Sequence, residues 1–375
     1  MIDLSGQEQK IRCFLVGKLG NDLHELRSLI DTLGMECVCA LTLTHCKIHP
    51  AYGMGKGKAQ EIACLAKEKN AECIIFDFIL EPTKQRNWER LAGMPAFDRE
   101  EVILRIFAAH ARTHEATLQV ELARLQYSLP RLAHMYGDMA RQRGGNYGSK
   151  GSGETQLELD QRQVRERIHQ VKCKLKTVVA NRMTQRKLRD KMSLSSCVLV
   201  GYTNAGKSSL LNSLTGADVL VEDKLFATLD PTTRRFAIKD GGTVLLSDTV
   251  GFITNLPHTL IDAFKSTLEE AVHADLLLIV VDASDENAEK QYETVCHVLE
   301  EIGANTNEHI LILNKIDKLQ NANIRLTELA SVFPDAVCIS AQEKTGFDEL
   351  TLRITDVLFG EKYDYLLPAE KTDKL

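Results

Sequence analysis

The spacing of apolar residues divides the chain into three regions with different periods. Residues 11 to about 97 alternate short apolar runs such as AECIIFDFIL, typical of strands, with amphipathic stretches such as DLHELRSLIDTLG. The latter pattern is typical of a helix that stops at a glycine, here Gly34. The alternation predicts a small N-terminal α/β domain over residues 1–97, with some parallel strand pairing.

Two helical stretches with coiled-coil spacing make up the second region. Their apolar residues recur at intervals of three, four or seven, which is typical of helices that pack along one seam. The first set is Leu118, Leu122, Leu125, Leu129 and Leu132, and the second is Leu157, Val164, Ile168, Val171, Leu175 and Val178. Pro130 predicts a kink or an end of the first helix.

We interpret residues 98–194 as an antiparallel helical hairpin arm, with a loop rich in glycine and basic residues over 137–153 at its tip. A simple packing arm is the alternative. It explains the leucines, but it does not explain a tip that is dense in glycine and arginine.

The third region, residues 195–360, returns to alternating strands and helices. Its strand-like runs, such as SCVLVG and DLLLIVVDAS, are nearly all apolar, as in strands buried on both faces of a parallel sheet. The pattern predicts an α/β domain with a mostly parallel sheet. The short tail over 361–375 carries no readable pattern.

Composition limits the compartment. The 375 residues are 44% hydrophobic and 26% charged, which is ordinary for a soluble globular protein. Apolar runs such as LLLIVV at 276–281 are too short to cross a bilayer, and the N-terminus has no apolar signal core. Ten cysteines lie scattered without a C-x-x-C pair, so we expect core packing rather than metal binding at Cys37 and Cys39.

Charge is distributed unevenly along the chain. Residues 141–192 contain fourteen Lys or Arg and five Asp or Glu, a net charge of +9, which leaves −15 for the remainder. One basic block on an acidic protein indicates a polyanionic partner. A solvated helix face explains the charge equally well.

The stretch GYTNAGKS, Gly201 to Ser208, lies between a predicted strand and a predicted helix, where a phosphate-binding loop requires it. Its glycines let backbone N–H groups surround phosphates at a helix N-terminus. Lys207 would then reach the β- and γ-phosphates, and Ser208 would bind Mg²⁺. A simple glycine turn is the alternative.

Three further motifs follow in order on later strand ends. Asp248 ends a strand and can hold Mg²⁺ through water, while Gly251 can meet the γ-phosphate. In NKID, the Asp317 carboxylate can accept from both N1–H and N2–H of guanine, which adenine cannot match. Asn314 would brace the phosphate loop, and SAQ, from Ser340, would supply a donor to guanine O6. Together they predict a guanine-nucleotide site.

A threonine before Asp248 should sense the γ-phosphate and bind the metal. FATLDPTTRR offers Thr228, Thr232 and Thr233, of which we favour Thr228, with Thr232 as the alternative. The residues predicted to be catalytic are Lys207, Thr228, Asp248 and Gly251. The predicted GTP-binding residues are Gly201, Tyr202, Thr203, Asn204, Ala205, Gly206, Lys207, Ser208, Phe226, Ala227, Thr228, Leu229, Asp230, Asp248, Thr249, Val250, Gly251, Asn314, Lys315, Ile316, Asp317, Ser340, Ala341 and Gln342.

With these motifs the chain resembles the HflX family of translational GTPases, in the class that includes Obg, Era and the tRNA-modifying GTPase MnmE. In the third region the resemblance rests on GYTNAGKSSLLN, FATLDPTTR, DTVGFI and NKID. The second region carries the more diagnostic segments, FDREEVILRIFAAHARTHEATLQVELARLQYSLPRL and GGNYGSKGSGETQLELDQRQVRERI. The resemblance implies that the third region is a Ras-like P-loop G domain.

The resemblance also implies a task. The family acts on the large (50S) ribosomal subunit and its rRNA, and dissociates stalled or stress-inactivated ribosomes. Arg141, Arg143 and Lys150 of the arm would contact the ribosome. We expect a monomer in the cytoplasm, partly associated with ribosomes or membranes. The arm loop departs from the family pattern at Ser149-Lys150 and Ser152, which replace Thr-Arg and Pro.

Some questions stay open at this stage. Some family members are reported to bind ATP in the N-terminal domain, but the spacing of GMGKGKAQEI does not show such a site. An RNA assembly or modification factor is an alternative function, against which stands the lack of a readable GXXG module or C-terminal reactive-cysteine motif. A nucleotide-gated protein scaffold is another, and salt dependence would separate it from an RNA binder.

The residue after DTVG is Phe252, where many nucleotide switches have a glutamine that orients the attacking water. An apolar side chain cannot orient water, so we expect slow intrinsic hydrolysis, with the water positioned by a backbone group or by a partner. The hypothesis is that ribosome binding orders residues 222–236 and 252–257. On this view a glutamine at 252 would speed hydrolysis without ribosomes.

Overall fold

The computed structural model describes most of the chain. The described residues are 10–18, 23–44, 49–142, 152–190, 194–216, 225–226, 228–229, 232–238, 242–254, 268–319 and 322–363, with backbone alone at 133–142, 152–156, 181–190, 322–323 and 361–363. The chain divides into two compact units, one of residues 1–178 with 257–263 and one of 179–256 with 264–375. Each unit has its own sheet. The predicted domain boundaries stay a prediction.

The first unit is built on a four-stranded, all-parallel sheet in the order β2-β1-β3-β4. Its strands are β1 (Arg12–Lys18), β2 (Glu36–Leu43), β3 (Cys73–Phe76) and β4 (Ala96–Asp98). The helices that follow them are α1 (His24–Thr32), α2 (Lys56–Glu68), α3 (Pro82–Ala92) and α4 (Arg99–His110). Parallel strands joined through helices confirm the small α/β domain that the alternating pattern predicts.

Trp88, the single tryptophan of the chain, lies in the core of this unit. Its indole packs against the rings of Phe76 and Tyr52, and its Nε1 donates to the Tyr52 carbonyl at 3.0 Å. A buried indole keeps its N–H paired in this way. Trp88 therefore reports on the packing of the first unit.

Asp98, at the end of β4, is fully buried and joins the sheet to the next helix, α5 (His114–Gln142). Its Oδ1 accepts from Tyr127 Oη at 2.9 Å and from the Glu101 N–H at 3.0 Å, which caps α4. Its Oδ2 accepts from the Arg131 guanidinium and from the Leu80 N–H, both at 3.1 Å. A buried carboxylate is tolerated because all these donors face it.

Helix α5 continues through Pro130 to Gln142, so the helix does not end at Pro130, and the alternative that Pro130 kinks it stays a prediction. Arg131, the next residue, is held on the sheet side by Asp98, by the Leu80 carbonyl at 3.1 Å and by Gln85 Oε1 at 2.9 Å. These contacts fix the helical turn where proline removes a main-chain hydrogen bond. Tertiary contacts therefore outweigh the local preference.

The second arm helix, α6 (Ser152–Asp190), packs against α5 as the heptad spacing predicts. Leu118, Leu122 and Val171 form the buried centre of the seam. Leu125, Ile168, Leu175 and Val178 lie partly buried around it. Arg167 Nε donates to Glu121 Oε1 at 2.5 Å across the pair, in an exposed contact between the first part of α5 and the middle of α6. This confirms the predicted pairing of the two helices.

The second unit has a six-stranded sheet in the order β10-β9-β8-β5-β7-β6. Its strands are β5 (Ser196–Gly201), β6 (Thr232–Ile238), β7 (Gly242–Asp248), β8 (Leu276–Asp282), β9 (His309–Asn314) and β10 (Val337–Cys338). The helices are α7 (Lys207–Thr215), α8 (Ala288–Ile302), α9 (Ala322–Val332) and α10 (Phe347–Tyr363), with a 3-10 turn at Ile316–Lys318. All pairs are parallel except β6 with β7, which confirms a mostly parallel sheet.

The antiparallel edge strand β6 was not predicted from the sequence. It begins inside the stretch FATLDPTTRR, with Thr232 opposite Asp248 and Thr233 Oγ1 2.8 Å from Ser247 Oγ. Arg234 and Arg235 are exposed and adjacent, which hides the alternation expected of a strand. Thr232 and Thr233 therefore lie in the sheet, and the choice of Thr228 as the threonine that senses the γ-phosphate stays a prediction.

Within the described ranges, no helix has the length and apolar character needed to cross a membrane.

Replacing Tyr127 by Phe should lower the free energy of unfolding of the first unit by about 1–3 kcal/mol, because the buried Asp98 carboxylate loses a donor. Urea unfolding followed by Trp88 fluorescence measures this, since the only tryptophan lies in the same unit. Arg167→Gln, which removes an exposed ion pair with Glu121, is the control and should leave the midpoint nearly unchanged. Equal shifts in both variants would show that Asp98 does not need the phenol.

Candidate functional site

The phosphate-loop sequence connects the carboxyl end of β5 to the N-terminus of α7. A Cβ atom at Gly201 would lie 2.2 Å from the Val280 carbonyl oxygen, and one at Gly206 would lie 2.2 Å from Asn314 Nδ2. Gly206 also has a φ of 92°, which side chains disfavour. Both glycines are therefore required by the close approach of neighbouring strands, as well as by the turn.

Lys207 is the first residue of α7, and its side chain is turned back into the loop. Its Nζ donates to the Tyr202 carbonyl at 2.7 Å and to the Gly201 carbonyl at 3.2 Å. Burial lowers the pKa of Lys207 to about 8, although the Asp248 carboxylate opposes this shift. The loop thus holds a desolvated cationic group, which an anionic ligand would favour in its charged form.

Three oxygen-bearing side chains meet beside the lysine. Ser208 Oγ lies 2.5 Å from Asp248 Oδ2 and 2.8 Å from Thr228 Oγ1. The second carboxylate oxygen, Asp248 Oδ1, is buried and has no hydrogen-bond partner among the described residues. Burial raises the pKa of the Asp248 carboxyl, and the nearby Lys207 ammonium opposes the rise. A carboxylate and two hydroxyls are the hard oxygen ligands that Mg²⁺ prefers, so these residues fit the ion.

No group of three His, Cys, Asp or Glu side chains elsewhere in the described ranges could hold a metal ion. The expected core role of Cys37 and Cys39 is consistent with their position on β2, where both are partly buried.

The NKID residues form the opposite end of the site, at the carboxyl end of β9. Asn314 is 1% exposed and connects two loops: Nδ2 donates to the Ala205 carbonyl at 2.9 Å, and Oδ1 accepts from the Ala341 N–H at 3.0 Å. Ser340 Oγ donates to Asp317 Oδ1 at 2.5 Å and so fixes the orientation of that carboxylate. The Asp317 carboxylate is therefore oriented by a residue of the loop after β10, and not by the 3-10 turn to which it belongs.

Sequence reasoning missed Asp282, the last residue of β8. Its Oδ2 forms an ion pair with Lys315 Nζ at 2.7 Å, and its Oδ1 accepts from Ser284 Oγ at 2.6 Å. Lys315 has a left-handed backbone, with φ 64°, which a lysine rarely adopts. An acidic residue at the end of an apolar strand was a signal that could have drawn attention to Asp282, since Asp248 ends its strand in the same way.

Residues 249–254 run beside the phosphate loop. The Thr203 N–H donates to the Phe252 carbonyl at 2.7 Å, and the Phe252 N–H donates to the Gly201 carbonyl at 3.0 Å. A Cβ at Gly251 would lie 2.7 Å from Thr203 Cα and 2.9 Å from Lys207 Nζ, so only glycine fits there.

The Phe252 side chain points away from this loop. It is 2% exposed and packs in the hydrophobic core with Val198, Val200 and Ile279. Phe252 therefore stands in the core, and the idea that a glutamine at this position would face the nucleotide loses its geometric basis. The reason is that the N–H and the carbonyl of residue 252 both bond the phosphate loop, which leaves its side chain directed into the core.

The other predicted residues are distributed around the same edge. Thr249 Oγ1 donates to the Leu199 carbonyl at 2.7 Å, which gives this threonine a structural bond. Phe226, Leu229, Val250 and Ala341 are buried, Ile316 is partly buried, and Asn204 and Gln342 are exposed. Ala227, Asp230, Arg143 and Lys150 lie outside the described residues, and Arg141 is described only by its backbone on α5.

Three family models match successive parts of the chain. They are described as GTP-binding GTPase N-terminal over residues 20–108, GTP-binding GTPase Middle Region over 110–189 and 50S ribosome-binding GTPase over 196–315. The GTPase HflX of Akkermansia muciniphila is 46% identical over 363 residues, which is 94% of this chain and 83% of that protein. The chain belongs to the HflX family of GTPases.

Other relatives agree. The GTPase HflX of Escherichia coli is 44% identical over 346 residues, or 92% of this chain and 81% of that protein. The solved structure of the SsGBP and GDP complex is 25% identical, with a TM-score of 0.50, and the match covers 94% of this chain and 99% of that one. This HflX-family chain is thus a P-loop GTPase that binds GTP and hydrolyses it to GDP and phosphate.

Ser340→Ala should raise the Kd for GDP roughly threefold to tenfold, because Asp317 loses the hydroxyl that orients it. Equilibrium titration with a fluorescent GDP analogue measures the change. Ser331→Ala is the matched control, since its hydroxyl donates to the Glu328 carbonyl on the exposed face of α9. An unchanged Kd in Ser340→Ala would mean that Asp317 is held without Ser340.

Phe252→Gln should destabilise the second unit by about 3–5 kcal/mol and leave GTP hydrolysis no faster, because an amide replaces a buried ring. Calorimetric unfolding and GTP turnover are to be measured on the same preparation. Phe252→Leu keeps an apolar side chain and should lose less stability. A stable Gln variant with faster turnover would place the side chain at the nucleotide.

Proposed function

We propose that this HflX-family protein is a magnesium-dependent GTP switch that associates with the large ribosomal subunit and dissociates stalled or stress-inactivated ribosomes. The observation that carries this proposal is the exposed basic face of helix α6 on an otherwise acidic chain. Support also comes from the family model described as 50S ribosome-binding GTPase, which matches residues 196–315.

At the phosphate end, Lys207 would leave its two loop carbonyls for phosphate oxygens. Ser208 and Thr228 would hold Mg²⁺ directly and Asp248 through water, since their oxygens already meet within hydrogen-bond distance. When held by these residues, the ion would supply positive charge that offsets the negative charge of the phosphates. Gly251 would present its backbone to the γ-phosphate, because no side chain fits between it and Lys207.

At the base end, Asp317 would accept from guanine N1–H and N2–H, oriented by Ser340. Adenine has no such pair of N–H donors, so its binding would leave the Asp317 carboxylate without hydrogen bonds. The free-energy cost of that unpaired charge would exceed the gain from the remaining contacts with the base. Lys315, held by Asp282, would cover the base with its aliphatic stem. The site thereby selects guanine over adenine.

Hydrolysis is slow in the isolated protein on this proposal, because Phe252 is in the core and the segment offers no side-chain amide there. We propose that the ribosome accelerates it by acting on the segments before and after Asp248, in which Thr232–Ile238 is already a strand and residue 252 is already bonded to the phosphate loop. Partner-supplied stabilisation of this reaction reaches roughly 10³–10⁵-fold in other GTPases.

The arm supplies the ribosome contact. On helix α6 the side chains of Arg162, Arg165, Arg167, Lys172, Lys174 and Lys176 are all exposed. Two of them are partly neutralised, Arg162 by Glu166 and Arg167 by Glu121. Cationic side chains on one long helix bind a phosphate backbone through counterion release, which gives strong and salt-sensitive binding. In sequence, Arg141, Arg143 and Lys150 lie between Ala140 and Gly151, and we propose that they contact the ribosome as well.

The test is GTP hydrolysis with and without purified 50S subunits, at two salt concentrations. We expect strong stimulation at low salt. If Arg141, Arg143 and Lys150 contact three phosphates, the affinity for the subunit should fall roughly tenfold to fortyfold between about 50 and about 200 mM salt. Release of subunits from 70S particles, followed by light scattering, tests the dissociation step separately.

Replacing Arg141, Arg143 and Lys150 together by Gln should reduce the salt dependence and weaken subunit binding. The matched control replaces the exposed Lys56, Lys67 and Lys69 of the first unit by Gln, which removes the same charge. Stimulation that does not change with salt would contradict an RNA contact and favour a protein scaffold. Rapid hydrolysis without ribosomes would contradict the proposed activation.

A further inference from the structure

Residue Tyr202 contacts both the phosphate-loop lysine and the segment that follows Asp248. Its carbonyl accepts from Lys207 Nζ at 2.7 Å. Its phenol oxygen lies 2.6 Å from Thr254 Oγ1 and accepts from the Thr254 N–H at 2.8 Å. The side chain is 8% exposed, so these bonds form largely out of water, where each is stronger.

The phenol extends a main-chain connection that the two segments already share. Tyr202 and Phe252 form an isolated parallel bridge, with the Thr203 N–H bonded to the Phe252 carbonyl and the Phe252 N–H bonded to the Gly201 carbonyl. Those bonds end at residue 252. The Tyr202 hydroxyl carries the connection two residues further, to Thr254.

This connection sets where the backbone of residues 251–254 lies. A Cβ atom at Gly251 would lie 2.7 Å from Thr203 Cα and 2.9 Å from Lys207 Nζ, so the backbone at Gly251 runs close beside the phosphate loop. The side chain of Phe252 is committed to the core and cannot orient water. The groups that this segment can offer to the reacting phosphate are therefore main-chain groups, whose positions depend on how firmly the segment is held.

We propose that Tyr202 is a positioning residue for GTP hydrolysis: through its bonds to Thr254 it holds the backbone of residues 251–254 beside the phosphate loop. The role rests on the hydrolysis of GTP at this site and is independent of any ribosome contact. The phenol takes no part in bond making or breaking.

The experiment compares Tyr202→Phe with the wild-type full chain in single-turnover GTP hydrolysis, without ribosomal subunits. Removing the phenol oxygen breaks both of its bonds to Thr254, and the less firmly held segment should lower the rate constant roughly threefold to tenfold, which corresponds to about one net hydrogen bond. The KM and the Kd for GTP should change less than twofold, because the Tyr202 carbonyl still holds Lys207. A purely structural defect would instead lower nucleotide affinity and thermal stability together.

Two companion variants test the partner. Thr254→Ser keeps the hydroxyl and should retain wild-type hydrolysis, whereas Thr254→Val should reduce it. The double variant Tyr202→Phe, Thr254→Val should be little slower than Tyr202→Phe alone, because both changes break one connection. Additive losses would show that the two side chains act separately, which overturns the proposal.

Tyr292→Phe is the matched control. Its hydroxyl bonds Cys296, and its ring packs on Phe333 in the same unit, away from the phosphate loop. It should hydrolyse GTP at the wild-type rate. If Tyr202→Phe also hydrolyses GTP at the wild-type rate, Tyr202 has no positioning role. That result would not bear on the proposal that the ribosome stimulates hydrolysis. If 50S subunits do not stimulate the wild-type protein, the proposed ribosomal function is contradicted and the role of Tyr202 is not affected.

Discussion

A buried side-chain amide sets the relative positions of the loops at the carboxyl edge of the second sheet. Asn314 donates to the Ala205 carbonyl and accepts from the Ala341 N–H, so one side chain joins the phosphate loop to the loop after β10. Replacing it by a carboxylate or an aliphatic residue would leave a main-chain group unpaired in the interior. Gly206 has to lack a side chain because this amide occupies the space.

The two ends of the site differ in what holds them. The base end rests on Asn314, on the Lys315–Asp282 ion pair and on Ser340, all anchored in strands β8 to β10 or just beyond them. The end beside the phosphate loop depends on hydroxyl contacts, such as Ser208 with Thr228 and Tyr202 with Thr254. A single neutral hydrogen bond contributes only about 0.5–1.5 kcal/mol, so it can be exchanged for a phosphate contact. On the proposed function, the end at Asn314 and Asp317 recognises guanine, while the end at Ser208 and Tyr202 responds to the charge of the phosphates.

Much of this arrangement could be predicted from the sequence, because the motif residues sit where strands end. The preference for Thr228 over Thr232 agrees with the register of β6, which places Thr232 in the sheet opposite Asp248. What could not be predicted depends on contacts between distant residues. Asp282 acquires its role only when β8 and β9 lie side by side, and the helix passes Pro130 because Arg131 reaches Asp98. The burial of Phe252 follows from the hydrogen bonds that its N–H and its carbonyl form with Gly201 and Thr203. The sequence around residue 252 gives no sign of these bonds.

The buried Asp98 also decides how the first unit can be divided. The family models for the N-terminal and middle regions meet near residues 108–110, and a cut there gives two pieces of reasonable length. Yet Tyr127 and Arg131, which lie beyond that cut, supply two of the donors that keep the carboxylate of Asp98 tolerable inside the protein. The sheet and the base of the arm therefore depend on each other: a chimera of two relatives joined at residue 109 would combine helix α5 of one protein with the β4 carboxylate of another, although Tyr127 and Arg131 of α5 have to bind that carboxylate.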